Sequence, residues 1–224
     1  MKAESFRLRE IVMRSIEQVM EKVTIFITRK KDSRIELLLL RHPYAGIQFP
    51  AGTVEEDEDL DDAAKREIYE ETGLKDAALK SYIGSMYEKL PEHVCIISQK
   101  TKVYARPDES SFDWAEFRRG TWVKEIRKKN EFTQVLYEEK DTYPEGKYIT
   151  YSIMGWVRDE FLCRIQRRHF FHFTVEWAEE KWTQFSDSHQ FELFWSPLYS
   201  RPEIIKPQTL WLEYVRNELK YNFG

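Results

Sequence analysis

A chain of 224 residues, 42% of them hydrophobic and 33% charged, is long and apolar enough to bury one sizeable core. Its formal net charge of −4 lacks the basic excess that grips bulk nucleic acid, although an acidic protein can still bind a polyanion where divalent cations bridge the two. Cys95 and Cys163 are too few and too far apart for a disulfide framework, Met1 to Arg9 has no leader-like apolar core, and no apolar run approaches membrane-spanning length. These features predict a reducing, cytoplasmic setting and no membrane partner.

Taken in chain order, Glu4 to Lys22 fits an amphipathic helix through Leu8, Ile11, Val12, Ile16 and Val19, although one or two strands fit the same residues. Val23 to Thr28 and Ile35 to Arg41 read as a hairpin about Lys30-Lys31-Asp32-Ser33. Leu37 to Leu40 is apolar on both faces, which predicts a central strand. His42 to Asp57, punctuated by Pro43, Gly46, Pro50 and Gly52, reads as loop, and Asp59 to Thr72 as a helix closed by Gly73. Strand-like segments follow at Tyr82–Tyr87, Val94–Tyr104, Thr121–Ile126, Thr133–Tyr137, Tyr148–Val157 and His169–Glu176. After Pro207, Leu210, Trp211, Tyr214, Val215 and Leu219 recur at helical spacing and predict a last helix, Gln208–Leu219. The class is α+β.

Chemistry concentrates around the Asp59–Thr72 helix. Glu67, Glu70 and Glu71 stand at i, i+3 and i+4, so three carboxylates crowd one face, and a hard divalent cation is the usual relief. A solvated acidic face is the competing reading. Against it, Glu67 and Glu71 continue the inward stripe of Leu60, Ala63 and Ala64, and the two alanines leave room beside them. Arg66 can reach both Glu70 and Glu58 and so orient carboxylates, while the Gly52 loop can offer backbone carbonyls to a metal.

Gly52, Glu58, Arg66, Glu67, Ile68, Glu70, Glu71, Gly73 and Leu74 fill every fixed position of the Nudix box, and over Val23–Leu74 the chain resembles the Nudix hydrolases. That resemblance implies an α/β/α sandwich around a mixed sheet. It implies Mg²⁺ or Mn²⁺ on Glu67, Glu70, Glu71 and the Ala51 carbonyl, and hydrolysis of a diphosphate bond in a small nucleotide. A Glu acts as base in that family, either Glu71 or one outside the box. Phe191–Leu198 and the last helix resemble the closing elements of such domains. The chain is therefore expected to be one domain, 1–224, in which 88–167 is a β-rich insertion suited to a lid or a dimer surface.

Pro50-Ala51-Gly52 departs from the frequent Pro-Gly-Gly and matches a form found among hydrolases of nucleotide sugars. Pro91 is similar in placement to a proline of ADP-ribose hydrolases. Nucleoside triphosphates, dinucleoside polyphosphates and a non-catalytic ligand sensor stay open as alternatives, the intact acids favouring the enzyme. Arg41 is a candidate phosphate contact, His42 beside it another, and Trp195 a candidate base contact. His169 and His172, at i and i+3 of a strand, point to opposite faces and make no zinc pair.

Overall fold

In the computed structural model, which describes residues 18–141, 146–186 and 189–221, the first element is a long strand, β1 (Val19–Lys31). It turns at Asp32 and Ser33 into β2 (Arg34–His42), with Lys31 opposite Arg34 and Thr28 opposite Leu37. Both turn residues have positive φ, 47° and 63°, as a two-residue hairpin loop matched to strand twist demands. Neither Asp nor Ser is β-branched, so the cost of that conformation is small.

The stretch expected as loop holds two short strands, β3 (Gly46–Gln48) on β2 and β4 (Ala51–Thr53) on β1. They form because a buried backbone has to pair, here Val23 with Gly52 and Leu40 with Gln48. Helix α1 (Leu60–Thr72) and β5 (Ala78–Lys89) follow. Later in the chain come β13 (Ile165–Thr174), β14 (Lys181–Ser186), β15 (His189–Pro197) and helix α2 (Gln208–Tyr221).

The main sheet runs β14-β15-β2-β1-β13-β5. Thr24 and Thr28 of β1 meet Arg168 and His172 of β13 in the same order, so these strands are parallel, whereas β1–β2, β2–β15 and β14–β15 are antiparallel. The sheet is mixed.

Side-chain alternation then sorts the two faces. Val23, Ile25 and Ile27 of β1 and Leu38 and Leu40 of β2 pack with Ala63, Ala64 and Ile68 of α1. Phe26, Leu37 and Leu39 pack with Trp211, Leu212, Val215 and Leu219 of α2. One helix covers each face, the α/β/α sandwich.

Val19–Lys22 is extended, not helical, because Lys22 pairs with Thr53 and Met20 is fully buried. The remainder of the expected first helix lies outside the described residues. Val94–Tyr104 is split into β6 (Val94–Ile97) and β7 (Thr101–Tyr104), since the Ser98 N–H turns to the Phe161 carbonyl. Strand β8 (Asp113–Phe117) and β14 escape the sequence patterns. Each is an edge strand with little burial to mark it.

The chain folds as two compact units, one around Glu21–Met86 and Arg168–Gly224, the other around Tyr87–Lys140 and Tyr148–Arg167. The second unit holds a sheet ordered β12-β6-β9-β10-β11-β7-β8, adding β9 (Trp122–Lys129), β10 (Phe132–Lys140), β11 (Ile149–Arg158) and β12 (Leu162–Cys163). Cys95, Val103, Phe117, Val123, Val135, Ile153 and Val157 form its core.

His172 is fully buried, with Nε2 2.7 Å from the Thr28 hydroxyl. Burial first, then the Lys80 charge, pushes its pKa from the ordinary 6.5 down to about 4. The unfolded chain therefore takes up this proton first. The contribution to stability is complete above pH 6.5 and is lost as pH falls through about 4, amounting to about 3 kcal/mol. Urea titrations between pH 7 and pH 4 should show a shallower loss of stability in His172→Gln than in the parent. Equal slopes would contradict the assignment.

Candidate metal and phosphate site

Helix α1 starts after Asp59 and ends at Gly73, whose φ of 73° lets its N–H close on the Tyr69 carbonyl. Its last carbonyls are taken up by β14: Trp182 Nε1 donates to Thr72 O at 2.7 Å, and Gln184 Nε2 to Glu70 O at 3.1 Å. The acidic end of the helix is thereby held from outside. Trp182→Phe should cost about 1 kcal/mol, read as a lowered unfolding midpoint. An unchanged midpoint would show that this tie carries nothing.

On this frame Arg66 is a hub. Its Nε and Nη2 grip the two Glu58 oxygens at 2.8 and 2.9 Å, and Nη2 also donates to Thr53 O at 3.0 Å. Nη1 bridges Glu67 at 2.8 Å and Glu70 at 3.1 Å. A planar fork on one carboxylate, with its remaining N–H on two others, sets their orientation as a flexible ammonium could not. The Arg66 contact holds the Glu58 carboxyl below the usual range, and the Glu58 contact pushes the guanidinium up. Arg66 and Glu58 thus share one hydrogen-bonded network with Glu67 and Glu70.

Glu67 and Glu71 are buried at 7% and 9% exposure, as the inward stripe predicts, whereas the Glu70 side chain is half exposed. The Glu67 carboxylate lies directly against the bare Cα of Gly52, where any Cβ would overlap it. Glu71 Oε2 accepts the Ala51 N–H at 2.8 Å. Among the described residues, no three His, Cys, Asp or Glu side chains stand converged as a metal cluster. The donors still fit a hard divalent cation: they are oxygens, negatively charged, and packed where glycine alone leaves room.

Beside them opens a cleft of about 160 Å³, lined by Ala51, Gly52 and Glu71 together with Lys22, Gln48, Phe49, Arg168, Gln208 and Trp211. Arg168 is buried, donates to the Thr24 hydroxyl at 3.0 Å and stacks on the Trp211 ring at 3.9 Å. Lys22 donates to the Thr53 hydroxyl. Two cations therefore look onto a cleft that one box carboxylate also borders, which suits a metal-bound phosphate group.

The other two expected contacts lie elsewhere. Arg41 is engaged by Glu192 at 3.0 Å and stacks on Phe194, and it does not line the cleft. Trp195 lies under Arg29 and donates to Glu179 O at 2.9 Å, also away from it. The reason is register: β2 and β15 lie side by side, so their charged and aromatic groups answer one another. His42 Nδ1 accepts the N–H groups of Tyr44 and Ala45. His169 bonds Glu21 and Tyr82, and His172 bonds Thr28.

Sequence reasoning missed Lys22, Gln48, Arg168, Gln208 and Trp211. Arg168 carried a readable signal, since it alternates with buried Phe170 on one strand and so marks a cation on an inward face. The others are joined to the site only by the sheet and α2.

Residues 20–124 match the NUDIX domain as a family. No curated protein matches the chain. Among solved structures, a candidate NUDIX hydrolase of Listeria monocytogenes is 14% identical with a TM-score of 0.43, over 90% of this chain and 94% of that one. An Ap4A hydrolase of C. elegans, in a binary complex, is 15% identical with a TM-score of 0.43, over 91% and 99%. The NUDIX domain of Shewanella oneidensis NrtR, complexed with ADP ribose, is 13% identical with a TM-score of 0.39, over 94% and 97%.

Proposed function

Since the chain belongs to the Nudix family through residues 20–124, we propose that it is a Mg²⁺- or Mn²⁺-dependent hydrolase of a nucleoside diphosphate linked to a second moiety, of the ADP-ribose or nucleotide-sugar type. The observation that carries this reading is the Glu67 carboxylate set against bare Gly52 and tied by Arg66, a buried charge placed beside a cationic cleft. Glu67, Glu70, Glu71 and the Ala51 carbonyl would hold the cation. When bound, the cation lowers the pKa of water and offsets phosphoryl charge. Arg66 and Glu58 keep the carboxylates aligned. Lys22 and Arg168 draw the phosphates into the cleft, and a Glu71 oxygen accepts the proton of the attacking water. The whole chain, 1–224, is then one Nudix domain with residues 88–167 as a β-rich insertion. That insertion offers a surface suited to a homodimer, and the two free cysteines accord with a reducing, cytoplasmic setting.

The test is chromatographic detection of the nucleoside monophosphate and its partner phosphomonoester or pyrophosphate, formed from a panel of nucleoside diphosphate and triphosphate derivatives with Mg²⁺, with Mn²⁺ and with chelator, beside Glu70→Gln. Metal-dependent cleavage of diphosphate-linked nucleosides, abolished by the substitution, supports the reading. Cleavage confined to triphosphates or dinucleoside polyphosphates replaces the substrate class. Metal-dependent ligand binding without turnover makes the protein a sensor and ends the hydrolase reading.

A further inference from the structure

Gln208, the first residue of α2, is buried although its side chain is an amide. Its Oε1 accepts the Phe49 N–H at 2.6 Å, and its Nε2 reaches Gln48 Oε1 at 3.5 Å, so the amide can face only one way. The strap it holds is tied twice more. Ile25 N–H donates to the Pro50 carbonyl at 2.9 Å, and the Ala51 N–H donates to Glu71 at 2.8 Å. Phe49 is buried at 1% exposure, so its N–H needs a partner from within the protein. Without the Gln208 oxygen, the relief open to that N–H is movement of the strap, two residues from Ala51.

We propose that Gln208 is a positioning residue, which clamps the Phe49–Ala51 strap from α2 so that the Ala51 carbonyl and the Glu71 carboxylate keep the spacing a divalent cation needs. The proposal rests on the metal-dependent reading above. It assigns the C-terminal helix a part in the site that the box does not contain. Partners bonded directly to a metal ligand commonly alter metal affinity or activity by about ten- to a hundredfold, and Gln208, which acts through Phe49 two residues from Ala51, is expected at the lower end of that range.

The test is a Mn²⁺ titration followed by electron paramagnetic resonance, without substrate, on the full chain and on Gln208→Leu and Gln208→Glu. Amide exchange at Phe49 is measured in parallel. Leucine removes the acceptor and should weaken Mn²⁺ binding by about tenfold or more, with loss of protection at Phe49. Glutamate keeps an oxygen for the Phe49 N–H and should restore both. Should leucine prevent folding, Gln208→Asn keeps the amide but is one methylene short and is expected to weaken binding likewise. Parent-like Mn²⁺ affinity in a folded variant whose Phe49 amide has lost protection would overturn the proposal and leave the hydrolase reading intact. A parent that binds no Mn²⁺ and cleaves nothing overturns that reading, and this proposal with it.

Discussion

Glu67→Gln is expected to lower kcat for diphosphate hydrolysis by about a thousandfold while the protein stays folded. The amide preserves the shape of the side chain against Gly52, so packing is unchanged. It removes a negative oxygen from a site where three carboxylates share the Arg66 hub and the Ala51 N–H. A cation held by fewer charges binds more weakly and offsets less of the phosphoryl charge in the transition state. Stability should hold or rise, since the variant no longer buries that charge beside Glu58 and Glu70. Steady-state rates at saturating metal, with circular dichroism melts alongside, separate the two effects. A variant that turns over as the parent does would remove Glu67 from the metal site.

The second large effect is expected at Gly52. Adding one methyl there, Gly52→Ala, sets a carbon where the Glu67 carboxylate now lies. The side chain has little space to retreat, being 10% exposed and bonded to Arg66 at 2.8 Å. The carboxylate or the β4 backbone must shift by about an ångström or more, and displacements of about 1 Å cost about a hundredfold in rate. A double-mutant cycle makes this specific. In a Glu67→Ala background, Gly52→Ala should cost nothing further, because the carbon then enters vacated space. If the two losses add, the glycine serves the β4 backbone alone and not the carboxylate.

Much of this site is local in the chain, and local features are legible. The i, i+3, i+4 spacing puts Glu67, Glu70 and Glu71 on one face of any helix, and the Ala63-Ala64 stripe shows that Glu67 and Glu71 look inward. Arg66 lies within a turn of Glu70 and within reach of Glu58, so its contacts with both are legible too. The hairpin about Asp32-Ser33, the central position of Leu37–Leu40 and the last helix follow from periodicity alone. Arg41 and Trp195 show the limit. Proximity to the box in sequence, or to the closing strands, does not tell which neighbour a strand acquires, and both residues are spent on β2–β15 and Arg29 contacts.

What the sequence determined by itself, then, was the acidic helix, its inward carboxylates and the family they announce, because each depends on residues within a few turns of one another. The cleft, by contrast, arises from contacts between distant parts of the chain. Lys22 comes from β1, Gln48 from β3, Arg168 from β13 and Gln208 and Trp211 from α2. Their meeting depends on strand order and on the parallel register of β1 with β13, set by burying two opposed apolar faces under two helices. Such long-range pairing is chosen by the summed burial of the whole sheet, which no single stretch of the chain records.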